Sequence, residues 1–201
     1  MPISAPLYRE EDLRRAAEEF LSAHHPQRTI PVPIEHIIEY DFQMDIVPMP
    51  GLRVGFEIDA YLTCDLLEIR VDQSVWESRQ NRYRFSLAHE LAHRILHADI
   101  FRQLSFASVS EWRVARNQIP EREYRFIEWH ANAFAGFALV PQDKLAEQFK
   151  LGVENLKSVG IPMADAGPVA WDWLVGWLAE RFEVSQQVIE RRGPSDGLWE
   201  R

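Results

Sequence analysis

The chain has 201 residues, 46% of them hydrophobic and 26% charged, and carries a formal net charge of -9. That length allows one buried core, or one core with a small appendage, and the balance of residue types excludes a low-complexity or broadly disordered chain. The acidic surplus disfavours direct DNA binding over a broad surface, and a single cysteine excludes an internal disulfide framework.

The N-terminal stretch MPISAPLYREEDLRRAAEEF lacks the basic segment and apolar run of a signal peptide. The longest apolar stretches are short or broken by charge, as Asp172 breaks Val169 to Ala179, so no membrane span and a cytoplasmic location are expected. Residues Arg9 to Ala23 are amphipathic at helical spacing, with Leu13, Ala16, Ala17, Phe20 and Leu21 on one side. TIPVPIEHIIEY then supplies a proline-stiffened connection and a short helix.

From Phe42 to Val71 the texture changes to short strand-like runs, FQMDIVP, VGFEI, AYLT and LLEIRVD, divided by turn residues. They predict a small antiparallel sheet, one edge of which could pair with an extended peptide. Cys64 falls among these runs and reads as a small buried hydrophobe. Asp72 to Arg79 reads as a capped short helix.

A longer helix is predicted from about Asn81 to His97, with apolar residues on more than one side and three histidines, at 89, 93 and 97. His89, Glu90 and His93 form an HExxH motif within it. Residues i and i+4 share a helix face, so both imidazoles can grip one metal ion, while Glu90 is placed to draw a proton from water. Histidines satisfied within a core would explain one such residue but not an i, i+4 pair with Glu between. Phe101 to Glu123 is polar and mixed, with LSFASVS as a possible strand, and suggests no function. A second helix is predicted from Glu121 to Leu139, stopped by Pro141.

A hydrolytic zinc site usually has three protein ligands, so the histidine pair needs a partner. Glu128 shares a helix face with Ala131, Asn132 and Ala135, small residues that let this helix approach the first closely. Asn132 is placed to accept a hydrogen bond from the non-liganding nitrogen of His89 or His93. His130 is the rival ligand, although it turns about 160° away from Asn132 on a helix advancing about 100° per residue. Tyr61, His97, Tyr124 and His130 are candidate donors to a developing oxyanion.

The run RYRFSLAHELAHRILH, followed by an ExxANxFA helix ending in a hydrophobic-Pro pair, resembles the ImmA/IrrE family of metallo-endopeptidases. IPVPIEHIIE, LLEIRVD and LAERFEVSQQVIERR extend the resemblance over about Thr29 to Arg192. It implies an α+β, zincin-like fold with a gluzincin-like site, His89, His93 and Glu128 matching the metal ligands and Glu90 the general base. It also implies a protein substrate, a helix-turn-helix repressor whose cleavage releases a stress or mobile-element gene programme. Ala92 stands where the family often has Gly, and Val140 where many members have Met or Leu. Zn²⁺ is the expected cofactor, and the same donor set accepts Mn²⁺ or Fe²⁺. Two other functions fit parts of the pattern: a non-cleaving, metal-binding transcriptional regulator, and the protease-like component of a toxin–antitoxin system.

The predicted division is a metallopeptidase domain over 1–142 and a C-terminal helical, helix-turn-helix-like subdomain over 143–201. Within the latter, SVGIPMADAGP reads as a hinge, and VAWDWLVGWLAERF as a helix buried on most sides. FEVSQQVIERR reads as the second half of a helix-turn-helix, whose DNA recognition would rest on Arg191 and Arg192 in an acidic chain. The tail GPSDGLWER is expected to be loose apart from contacts of Trp199.

Overall fold

Apolar residues three and four apart put Leu13, Ala17, Phe20 and Leu21 on the buried face of the first helix, α1 (Glu10–His24), in a computed structural model that describes residues 3–161 and 167–199. A short turn of helix, α2 (Ile34–His36), continues as a π-helical turn over Ile37–Asp41 and buries Ile34, Ile37 and Ile38. Strand β1 (Asp45–Met49), helix α3 (Leu52–Phe56), strand β2 (Ala60–Leu62) and strand β3 (Glu68–Asp72) follow.

The three strands form one sheet in the order β1-β3-β2. β2 and β3 are antiparallel, Ala60 opposite Val71 and Leu62 opposite Ile69, as expected for a hairpin. β1 and β3 are parallel, Asp45 opposite Glu68 and Met49 opposite Asp72, so the sheet is mixed and not wholly antiparallel. The chain passes through α3 and β2 before returning, and that crossover gives β3 the direction of β1. The strand expected at VGFEI is helix α3 instead. Gly51, at φ 81°, turns the chain after Pro50, and the Asp72 carboxylate accepts the Arg53 N–H at 2.9 Å in the first helical turn. Only Leu52 of α3 is buried and Val54 is fully exposed, so the alternating apolar residues there have no sheet face to cover.

Asp72 then caps α4 (Gln73–Ser78), accepting hydrogen bonds from the Ser74 and Val75 N–H groups. The motif helix α5 (Gln80–Leu96) is followed by α6 (Ala98–Phe101), α7 (Val109–Arg116) and α8 (Glu121–Leu139). Helix α8 packs against both α5 and α1. Ala88 and Ala92 of α5, with Ala131 and Ala135 of α8, are completely buried, which lets the two backbones come close.

The C-terminal subdomain is all helical: α9 (Gln142–Ser158), α10 (Pro168–Phe182) and α11 (Gln186–Ser195). Leu145, Leu174, Phe182 and Ile189 belong to the same apolar cluster as Leu13 and Leu87. Residues 162–166 of the expected hinge lie outside the described residues. On α10, Leu174, Leu178 and Phe182 face the core. Trp173, on a helix expected to be buried on most sides, is 43% exposed and stacks on half-buried Trp177, with the Arg181 guanidinium over the Trp177 ring. Gly193 to Ser195 continue α11, and Trp199 packs on Phe149 and Trp171. A Cβ on Gly193 would lie 1.8 Å from the Trp199 ring, so only glycine admits that contact.

Candidate metal centre

Helix α5 is held from several sides because Tyr83, Leu87, Ala88, Leu91 and Ala92 are all buried, and this fixes the direction in which His89 and His93 project. Their Nε2 atoms converge, 3.1 Å apart. Glu128, on the facing side of α8, places its two carboxylate oxygens 3.4 Å from His89 Nε2 and 3.5 Å from His93 Nε2. Glu90 is buried beside them, and its Oε2 accepts a 2.8 Å hydrogen bond from the Leu62 N–H of the edge strand β2. His89, Glu90 and His93 bring donor atoms within 4.8 Å of one another, a cluster able to hold a divalent metal ion.

The size of the cluster tests that fit. Four ligands around zinc at about 2.0–2.1 Å define a tetrahedron with edges of about 3.3–3.4 Å. His89 Nε2 and His93 Nε2 stand 3.1 Å apart, close to one such edge, and each faces a different oxygen of the Glu128 carboxylate, at 3.4 and 3.5 Å, so the carboxylate lies within reach of an ion held by the two imidazoles. Glu90 belongs to the cluster with the two imidazoles, and one of its oxygens is committed to Leu62, whereas each Glu128 oxygen faces one imidazole.

The local electrostatics match a site that concentrates opposite charges. Burial opposes charge on His89, yet Glu128 and Glu90 outweigh it and lift the imidazole above its usual value. Burial likewise opposes charge on Glu128, but the two imidazoles hold its carboxyl well below the usual carboxylate range. Burial pushes the Glu90 carboxyl up, against the pull of the neighbouring histidines.

Behind the donors, a line of histidines continues into the protein. His93 Nδ1 lies 3.1 Å from His97 Nδ1, and His97 Nε2 lies 3.2 Å from His130 Nδ1. Burial, reinforced by His93 and His130, pulls His97 down to about 2, and burial lowers His130, so both rings are neutral near pH 7. With the His93 Nε2 lone pair directed at the cluster, its Nδ1–H donates to His97, whose Nε2–H donates to His130. His97 therefore sets the tautomer and the ring angle of His93. Replacing His97 with Leu should weaken zinc binding by about 10–100-fold in a chelator competition, and His97→Gln, which restores an acceptor, should recover part of the loss. Affinity within twofold of the unaltered protein for His97→Leu would remove this role.

The sequence candidates separate clearly in space. Asn132 lines the cleft near His89, which it helps to lift above its usual value, and its side-chain amide donates to the Glu128 carbonyl at 2.8 Å. Tyr124 lines the cleft beside Glu128, and burial together with that carboxylate pushes its phenol up, which keeps the O–H proton in place as a donor. His97 and His130 are buried behind the donors and outside the cleft lining, and His130 packs edge-on against Tyr8. Tyr61 does not line the cleft. Successive strand side chains alternate, so Tyr61 points into the apolar cluster of Phe106 and Trp112, where Arg70 donates to its hydroxyl at 3.3 Å.

The cleft, of about 310 Å³, has one wall that the sequence reading missed. Trp112, Arg116 and Ile119 from α7 and the turn after it line its far side, and the Arg116 guanidinium sits 4.0 Å over the Tyr124 ring. The possible strand at LSFASVS is a loop leading into α7. The available signal was the S-x-x-E pattern at Ser108 and Glu111: the N-cap Ser108 hydroxyl accepts from Glu111 N–H, and the Glu111 carboxylate accepts from Ala107 N–H, one residue before the cap.

Among the described residues no helix is long and apolar enough to cross a membrane. Comparison with known proteins gives three results. No curated protein matches the chain. A solved structure, a Mycobacterium tuberculosis transcriptional regulator, is similar with a TM-score of 0.55 and 17% identity, covering 90% of this chain. The match covers 46% of the regulator, so this chain spans less than half the length of that protein, and the likeness speaks to the fold. A family model described as the IrrE N-terminal-like domain, Peptidase_M78, matches residues 75–193, from α4 through α11. That span takes in both helices of the metal cluster and more than half of the chain, which therefore belongs to the IrrE-like M78 peptidase family.

Proposed function

We propose that the protein is a zinc-dependent, cytoplasmic endopeptidase that cuts a helix-turn-helix repressor and so switches a gene programme. The observation that carries this reading is the convergence of the His89 and His93 imidazoles on each other and on the Glu128 carboxylate, with a second, buried carboxylate beside them. His89, His93 and Glu128 hold the ion, and Asn132 and His97 orient the imidazoles. Zn²⁺ suits this set best, and Mn²⁺ or Fe²⁺ are accepted by the same donors. The ion supplies Lewis-acid polarisation of a peptide carbonyl and acidifies a neighbouring water.

Glu90 acts as the base. Its Leu62 contact fixes one oxygen and leaves the other to take a proton from the attacking water and to deliver it to the leaving amine nitrogen. Tyr124 is the donor best placed to meet the developing oxyanion, since of the four candidates it alone lines the cleft. Strand β2 forms an edge of the sheet, and its ladder with β3 turns the backbone groups of Ala60 and Leu62 outward. The Leu62 N–H is taken by Glu90, so an extended peptide pairs through the backbone groups of Ala60, which lines the cleft.

The same chemistry would serve a toxin–antitoxin system, where only the protein being cut differs. The presence of Glu90 beside the donors favours cleavage over mere docking, because a binding module has no use for a base there. The test uses the helix-turn-helix protein encoded in an adjacent reading frame, incubated with the zinc-loaded enzyme with and without a chelator. Two fragments whose masses add up to the intact protein plus one water, and none with chelator, are expected. An intact partner with every metal under inducing conditions would overturn the reading in favour of a non-cleaving regulator.

A further inference from the structure

The metal cleft does not end at its own rim. Asp59, Phe85 and Ser86 form a wall shared with a second, larger cavity of about 710 Å³ that runs toward the start of α11. Half-buried Phe85 stands at the divide. The beginning of α5 and the turn before α11 bound this groove, and Asn81 braces them by donating to the Val184 carbonyl at 3.0 Å. The groove is therefore shaped by folded elements.

Its lining is cationic in a chain of net charge -9. Arg79, Arg82 and Arg191 line it, and the one carboxylate in the lining is Asp59. Asp59 is already paired with Arg82, at 2.5 Å, and with Arg53, at 3.2 Å. Arg79 and Arg191 are exposed and, among the described residues, form no ion pair. Arg192, next in sequence, is buried and spends its donors on the Gly136 and Val140 carbonyls and on Asp196. The arginine pair is thus divided: Arg192 holds α11 to α8, and Arg191 faces the groove.

We propose that this groove is a specificity subsite for an acidic side chain of the peptide substrate, placed on one side of the scissile bond. The inference rests on the endopeptidase reading. Continuity with the metal cleft across Phe85 selects a peptide that occupies both, and two unpaired guanidinium groups select a carboxylate. A nucleic-acid strand fits less well, because the acidic chain offers no extended basic track and the lining offers no aromatic platform for bases beyond Phe85.

The experiment uses full-length, zinc-loaded Glu90→Gln protein and fluorescein-labelled dodecapeptides of one neutral parent sequence. Glu, Gln or Lys is walked through each position, and an oligo-dT of the same length is titrated alongside. Glu at one or two adjacent positions should bind about three- to tenfold tighter than Gln at low salt, with Lys weaker, and the preference should shrink below about twofold in concentrated salt. The charge reversal Arg79→Glu with Arg191→Glu should transfer the preference to Lys at the same positions. Arg191→Gln alone, with an intact circular dichroism spectrum, should remove about half of it.

Binding without a position-specific charge preference, or a preference untouched by the reversal, would overturn the subsite. So would an absence of binding to every peptide, or an oligo-dT complex that outcompetes the peptides and is lost on reversal. Parallel digestion by the unaltered enzyme separates the two inferences. Cleavage without charge preference removes the subsite and keeps the endopeptidase, whereas charge-selective binding without cleavage keeps the subsite and removes the endopeptidase.

Discussion

Glu90→Gln should keep its zinc and lose peptide cleavage by about 10²–10⁴-fold, the range expected when a general base is removed. The substitution is close to isosteric, and the new carboxamide oxygen can still accept the 2.8 Å hydrogen bond from Leu62 N–H, so the junction of α5 and β2 survives. What disappears is an oxygen able to take up and return a proton. The donors His89, His93 and Glu128 are untouched, so zinc stoichiometry by atomic emission should stay at that of the unaltered protein. Burial pushes the Glu90 carboxyl up, toward the working pH, which is the direction that suits a base. Turnover within tenfold of the unaltered enzyme would take Glu90 out of the mechanism. Loss of zinc together with turnover would make Glu90 a ligand, the alternative that its place in the donor cluster allows.

The parts of this site that could be read from sequence are those set by one helix at a time. The spacing of His89 and His93 dictates a shared face, and the small residues Ala131 and Ala135 dictate a close approach by α8, so the meeting of His89, His93 and Glu128 was legible before any fold was known. Distance between elements was not legible. The histidine line from His93 through His97 to His130 depends on how α5 and α8 face each other, and a residue 33 positions away from His97 gives no periodic signal. Tyr61 was misplaced for the opposite reason: its strand was recognised, but which face of a three-residue strand looks at the cleft depends on register, where a shift of one residue reverses every side chain. The parallel pairing of β1 with β3 was hidden likewise, since strand direction follows from the path of the chain through α3 and β2. Helix α7 carried a readable capping signal, but its contribution of Trp112 and Arg116 to the cleft is purely tertiary.

Glu128→Gln tests the third ligand, and its comparison with His130→Gln decides between the two residues that the helix brings forward. Glu128 lies 3.4 and 3.5 Å from the two Nε2 atoms, whereas His130 is buried behind them with its Nδ1 turned to His97. Removing a neighbour that only orients a ligand costs about 10–100-fold in metal affinity. Loss of the anionic donor itself should therefore exceed about 100-fold, while His130→Gln, two hydrogen bonds from His93, should stay within about tenfold. Chelator competition on both variants, with circular dichroism to confirm the fold, measures the difference, and the reverse order would make His130 the ligand. Acidification supplies a second, independent readout. Zinc needs neutral imidazoles, and Glu128 with Glu90 lifts His89 above its usual value, so protons compete for this site from a higher pH than they would for an isolated histidine, about 6.5. With the Glu128 carboxylate gone, the largest influence raising His89 goes with it and burial dominates. The ion-free Glu128→Gln protein should then show the His89 titration, followed by NMR, moved to lower pH even as its zinc affinity falls. Those opposite movements distinguish a lost ligand from a merely loosened fold, which would expose His89 and weaken binding without that signature.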